Sequence, residues 1–177
     1  MADVGCGHGT SAMIIAEGYP RAEVVGFDYH PESIVEASRR AEQTGLGGRL
    51  RFEVAAADAF PGSGYDLLTC FDCLRDMGDP VAVAGHIRAA LADDGAWMIV
   101  EPKAGDRVED NLNPVGRAYY AFSTMLCTPS SLSQDGGLAL GAQAGEARLR
   151  DAVTRGGFTR FRRAAETPFN LVLEARP

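Results

Sequence analysis

Apolar and polar positions fall in blocks that switch between the two-residue strand period and the helical period. Met1 to Val4 is a short apolar approach into Gly5, Gly7 and Gly9, and TSAMIIAEG (Thr10 to Gly18) then reads as a helix with Met13, Ile14 and Ile15 facing inward. Glu23 to Phe27 (EVVGF) reads as a buried parallel strand. Pro31 opens the next helix at its first turn, where a missing N–H is harmless; that helix runs to about Thr44 and stops at Gly45. Leu50 to Ala55 (LRFEVA) is a third strand, and Tyr65 to Phe71 (YDLLTCF) is the nearly continuous apolar run of a strand covered on both faces. Asp79 and Pro80 mark a helix start, with an amphipathic pattern over Val81 to Ala92. Further on, Pro114 to Leu126 reads as an apolar helix and Glu146 to Gly156 as a helix ended by glycine. Phe158 to Ala164 and Phe169 to Ala175 are two strands joined around Pro168. Strands that alternate with helices make this an α/β chain.

The chemistry starts at the first turn. Asp3, Gly5, Gly7 and Gly9 fall at every second position, a D-x-G-x-G-x-G turn from strand to helix. Glycine suits a turn that needs positive φ and lets a ligand touch backbone, and the free N–H groups of the following helix favour negative ligand groups. A plain tight turn is the bland alternative. Asp28 ends the next strand, 19 residues after Gly9, where a carboxylate accepts from ribose hydroxyls and so implies an adenosine-containing ligand. Its alternative role is to cap the helix at Pro31. The dinucleotide pattern G-x-G-x-x-G fits poorly, because its last position counted from Gly5 is Thr10.

These residues resemble the class I S-adenosylmethionine-dependent methyltransferases. DVGCGHG, with Asp3, Gly5, Cys6 and Gly7, is similar to their first motif; Asp28, with Tyr29 beside it, is similar to the second, and AAADAF (Ala55 to Phe60) to the adenine-binding third. YDLLTCFDCL (Tyr65 to Leu74) resembles the fourth strand, which backs the methyl-transfer site, and DDGAWMIVEP (Asp93 to Pro102) the fifth. The resemblance implies a Rossmann-like three-layer sandwich whose mostly parallel seven-stranded sheet is closed by an antiparallel last strand. It also implies that Asp58 accepts from the adenine amino group while the Ala59 N–H approaches a ring nitrogen. Asp58 as a loop cap before Pro61 stays open. Phe71 is expected beside the adenosine or the sulfonium, with plain core as the other reading.

Within that family the chain looks most like the catalytic part of bacterial winged-helix methyltransferases with regulator-like names, and the winged-helix domain itself is not in this sequence. A central strand has about five or six residues, whereas only Met1 to Val4 precede the glycines, so a first strand cut short is expected, from a misplaced start or as a true short form. The segment from about 103 to 145 is the expected insert over the ligand. In it, Tyr119, Tyr120, Phe122 and Met125 are candidates to line an acceptor pocket, with core and one half of a homodimer interface as equal readings. Family members often carry histidine in an LHDM-like sequence after strand four, where this chain has Arg75 in LRDM. Arginine keeps its proton and is no ordinary base; Asp72 and Asp76 remain as candidates, and no catalytic residue is assigned.

Composition narrows the partners. The chain has 177 residues, 46% of them hydrophobic, enough for one domain with a three-layer core and without a long apolar run. Its net charge of −7 argues against this chain alone holding a phosphate backbone. Cys70 and Cys73 form one C-x-x-C, but Cys6 and Cys127 complete no zinc-like set, so no metal is expected and reduced thiols fit a cytoplasmic protein. No charged and apolar leader opens the sequence. Two functions follow: methyl transfer from S-adenosylmethionine to a small acceptor, or a S-adenosylmethionine-binding sensor module of a regulator. A truncated form without activity is a third outcome.

Overall fold

The computed structural model describes residues 1–177. Seven strands form one sheet in the order β3-β2-β1-β4-β5-β7-β6: β1 (Ala2–Val4), β2 (Val24–Asp28), β3 (Leu50–Val54), β4 (Tyr65–Phe71), β5 (Leu91–Pro102), β6 (Arg160–Glu166) and β7 (Asn170–Arg176). The first five are parallel, and β7 runs antiparallel to both of its neighbours. The fold is the Rossmann-like sandwich implied by the resemblance.

Helices α1 (Thr10–Gly18) and α2 (Pro31–Thr44) cover one face, where Ala12, Met13, Ile15 and Ala16 pack with Val24 and Leu50. Helices α3 (Pro80–Ala90) and α6 (Gly145–Arg155) cover the other, and their Val83, Ile87, Leu149 and Val153 join Val4, Phe27, Leu68, Trp97, Ile99 and Leu173 in the main core. Helix α3 ends at Ala90, two residues before the boundary drawn from the sequence, because Leu91 already pairs with Tyr65.

β1 has three residues, fully buried and paired on both sides: Ala2 lies against Val25 and Leu68, and Asp3 against Gly26 and Thr69. Strand order reverses at this strand, since the chain leaves β1 toward β2 and β3 and returns to β4 on the other side. Open α/β sheets leave a crevice at the carboxyl ends of the strands beside such a reversal.

The segment after β5 is helical in two pieces, α4 (Pro114–Phe122) and α5 (Thr128–Leu132), joined by a π-helical turn at Ser123–Cys127. The widened turn stands just before Pro129, which has no N–H for an α-helical bond and whose ring would press on the Met125 carbonyl. β6 is the outer edge strand, exposed along nearly its whole length, with Phe161 lying under the Arg150 guanidinium at 4.4 Å.

Candidate functional site

The glycine turn leaves β1 and crosses toward β2. Gly5 adopts φ 73, and a side chain there would meet Cys73 Sγ at 2.8 Å, so both conformation and space call for glycine. Gly7, at φ 51, faces open space. Its N–H donates to Asp28 Oδ2 at 2.9 Å, while Asp28 Oδ1 accepts from the His30 amide at 2.9 Å. Helix α2 takes its N-cap from His30, whose Nδ1 accepts from Ser33 N, and not from Asp28.

A cavity of about 510 Å³ opens at this point, within the range of small-molecule sites. Gly5, Asp28, Tyr29, Ala57 and Asp58 line one side. Cys73, Asp76 and Met77 form its floor beyond β4, with Gly78, Asp79 and the first turn of α3. A strap from Ser130 to Gly136 completes the lining through Ser130, Gln134, Asp135 and Gly136. Sequence reasoning missed most of this half. Asp76 was singled out only as a candidate base, Asp79 as a helix start, and the serine- and glycine-rich stretch carried no sign of what it touches.

Several expected residues lie elsewhere. Asp3 is buried beneath the turn, where its carboxylate accepts from the Ser11 and Thr69 hydroxyls. Burial pushes it up to about 6, against the pull of those two hydrogen bonds. Cys6 is buried too, and burial raises its thiol further from ionisation. The Ala59 N–H donates to the Ala56 carbonyl at 3.1 Å, so it is not free for a ring nitrogen. Phe71 packs against the cluster under α1. The pleat explains this: Leu68 and Cys70 point to the α3 face, so Phe71 points to the opposite one.

The four acceptor-pocket candidates also stand outside the cavity. The Tyr119 hydroxyl bonds to the Phe169 carbonyl, Tyr120 edges a separate shallow hollow with Arg117, and Phe122 and Met125 are exposed. Of the expected insert over the ligand, only the 130–136 strap reaches the cavity.

Arg75 is held by carboxylates. Its Nη1 lies 2.9 Å from Glu101 Oε2 and 3.1 Å from Asp72 Oδ1, and its Nε is 3.6 Å from Asp76. Glu101 is 1% exposed and Arg75 14%. Burial works against the Arg75 charge, but Glu101 and Asp76 more than offset it, so the guanidinium keeps its proton more tightly than usual. Burial pushes Glu101 up to about 7 despite Arg75. Asp72 sits in the left-handed region at φ 54, at the carboxyl end of β4. All four cysteines are free thiols, and no helix is long and apolar enough to cross a membrane.

A family profile described as a methyltransferase domain matches residues 1–142. Demethylmenaquinone methyltransferase of Thermus thermophilus is 33% identical over 99 residues, 56% of this chain and 45% of that protein. Trans-aconitate 2-methyltransferase of Streptomyces avermitilis is 45% identical over 90 residues, 49% of this chain and 30% of the relative. The chain thus spans less than half the length of these relatives. Among solved structures, PigF with SAH superposes at a TM-score of 0.77 with 19% identity, over 99% of this chain and 50% of that one. The O-methyltransferase NcsB1, in complex with S-adenosyl-L-homocysteine and 1,4-dihydroxy-2-naphthoic acid, does so at 0.75 with 21% identity, over 99% of this chain and 48% of that one. Those likenesses carry the fold, and the match over 1–142 carries the family: this chain belongs to the methyltransferase-domain family.

Proposed function

We propose that the chain binds S-adenosylmethionine in the cavity at the β1–β4 reversal and transfers its methyl group to a small-molecule acceptor. One observation carries this reading: Gly5 of the glycine turn and the Asp28 carboxylate, tied to that turn through the Gly7 N–H, share the wall of one cavity of ligand size. The residues fit the group. Gly5 leaves room that a side chain would fill, Asp28 and Asp58 offer acceptors to ribose hydroxyls and an adenine amino group, and the wall carries no cationic side chain to oppose a sulfonium. When bound, S-adenosylmethionine supplies a methyl group already activated by its positive sulfur. The chain's own residues then orient the donor and the acceptor and keep water out, which is the main need of an in-line displacement.

Arg75 keeps its proton and does not act as base. The relatives' names cover quinone precursors and a tricarboxylate, which supports a small acceptor without choosing one. The net charge of −7 supports a chain that does not hold nucleic acid by itself, and free thiols support a reducing compartment such as the cytoplasm.

Calorimetry with S-adenosylmethionine, S-adenosylhomocysteine and NADH tests the reading. Binding of the first two and not the third is expected. Saturable binding of NADH alone would replace it with a dinucleotide function, and turnover of labelled S-adenosylmethionine on any acceptor separates an enzyme from a sensor.

A further inference from the structure

The strap at Ser130–Gly136 is joined to the turn after β4 by side chains that satisfy backbone groups. Gln134 does so at two points and ties the strap to itself at a third. Its Nε2 donates to the Asp76 carbonyl at 2.9 Å and to the Ser130 carbonyl at 3.0 Å, and its Oε1 accepts from the Gly78 amide at 3.1 Å. Buried Ser131 adds a hydrogen bond from Oγ to the Met77 carbonyl at 2.8 Å, and the Leu138 amide reaches the Gly78 carbonyl at 2.9 Å. The two backbones touch at Gly78, where any side chain would overlap the Asp135 carbonyl. The carbonyls of 76 and 77 and the Gly78 amide therefore find their partners in the strap, and the Gly78 carbonyl finds its partner in Leu138, two residues beyond it.

The same stretch walls the cavity. Gln134, Asp135 and Gly136 line it together with Asp76, Met77 and Gly78, and Gln134 is bonded to the Asp76 carbonyl and the Gly78 amide. Gln134 itself is open to water on its outer side. Lifting the strap trades these hydrogen bonds for bonds to water, at the surface for Gln134 and, for buried Ser131 and Gly78, only once the strap has moved away. A wall built this way can move when a ligand enters or leaves, as mobile segments over active sites do.

We infer that Gln134 is a positioning residue that clamps the 130–136 strap over the cavity and sets how long a nucleoside ligand stays. The inference rests on the proposed function, because the ligand used to read it is S-adenosylhomocysteine. Ligand residence, and not ligand recognition, is what the clamp governs: Gln134 reaches the loop through backbone atoms, whereas Asp28 and Asp58 present carboxylates to the cavity.

Displacement of S-adenosylhomocysteine from the full chain, followed by stopped flow, tests this. Gln134→Ala is expected to raise the dissociation rate about tenfold, the scale of losing one to three solvent-exposed hydrogen bonds, while the association rate falls by much less. A purely structural role would lower the unfolding temperature without ligand and leave the dissociation rate of the folded fraction unchanged, and that result overturns the inference. Hydrogen exchange on the wild type gives a second measure that needs no variant. The Gly78 and Leu138 amides are expected to exchange more slowly with S-adenosylhomocysteine bound, and equal exchange in both states overturns the clamp. Failure of the wild type to bind overturns the proposed function and this inference with it, whereas binding with an unchanged Gln134→Ala rate overturns the inference alone.

Discussion

The Gly7 amide and the Asp28 carboxylate are hydrogen-bonded at 2.9 Å across 21 residues of sequence. This bond ties the glycine turn to the end of β2, so the two features that suggested a nucleoside site form one unit. Each Asp28 oxygen takes one backbone N–H, from Gly7 or from His30, and retains a lone pair for a ribose hydroxyl. Asp28→Ala is expected to weaken S-adenosylmethionine and S-adenosylhomocysteine binding by about 1–3 kcal/mol, the scale of losing hydrogen bonds to a charged group. Calorimetry on the two proteins measures it, and equal affinities would remove the ribose role of Asp28.

The Arg75–Glu101 pair supports the cavity floor from outside it. Arg75→Met would leave the Glu101 carboxylate buried without its counter-charge, at an expected loss of about 3–5 kcal/mol. Replacing both, as Arg75→Met with Glu101→Leu, removes the stranded charge and is expected to restore most of that loss. Urea unfolding of the wild type, both single variants and the double variant closes the cycle; strictly additive losses would show that the two side chains are not coupled.

Asp3 makes stability depend on pH in a stated direction. Its folded value of about 6 lies above the ordinary 3.8. The contribution of the neutral carboxyl is therefore complete below about pH 3.8 and is lost as pH rises through about 6. That difference corresponds to roughly 3 kcal/mol. Asp3→Asn keeps an acceptor for Ser11 or Thr69 and carries no charge, so the stability of the variant relative to wild type should rise by most of that amount between pH 4 and pH 6.5. Glu101 titrates in both proteins and cancels in the difference. A flat difference across this range would show that Asp3 titrates normally.

What the sequence disclosed was local. The glycine turn and Asp28 at the end of β2 are marked by spacing against strand ends, which are set by runs of a few residues, whereas Asp58 is marked only by the resemblance of AAADAF to a family motif. Phe71 shows how far that goes: its place at the carboxyl end of β4 was evident, but its side follows from the pleat, counted from Leu68 and Cys70 in the core. Tyr119, Tyr120, Phe122 and Met125 cluster on one stretch of helix, and the sequence alone leaves pocket wall, core and dimer interface equally open for them. Their true neighbours come from 50 residues away, as with Tyr119 and Phe169. The strap was invisible for the same reason. Ser131 and Gln134 look like ordinary loop residues, and only contacts 54 to 58 residues distant along the chain give them a role.

The outer border of the sheet has a consequence for how these molecules meet. β6 presents Arg160, Arg162 and Arg163 on a strand whose far side has no neighbour. Arg162 is paired with Glu174 and Arg163 with Glu146 and Glu166, so a second molecule that prolonged the sheet there would have to lay its strand among long charged side chains already held in ion pairs, the kind of edge that resists pairing. Fibre-like growth from this side is thereby discouraged, and the backbone groups of β6 stay open to water without becoming a template.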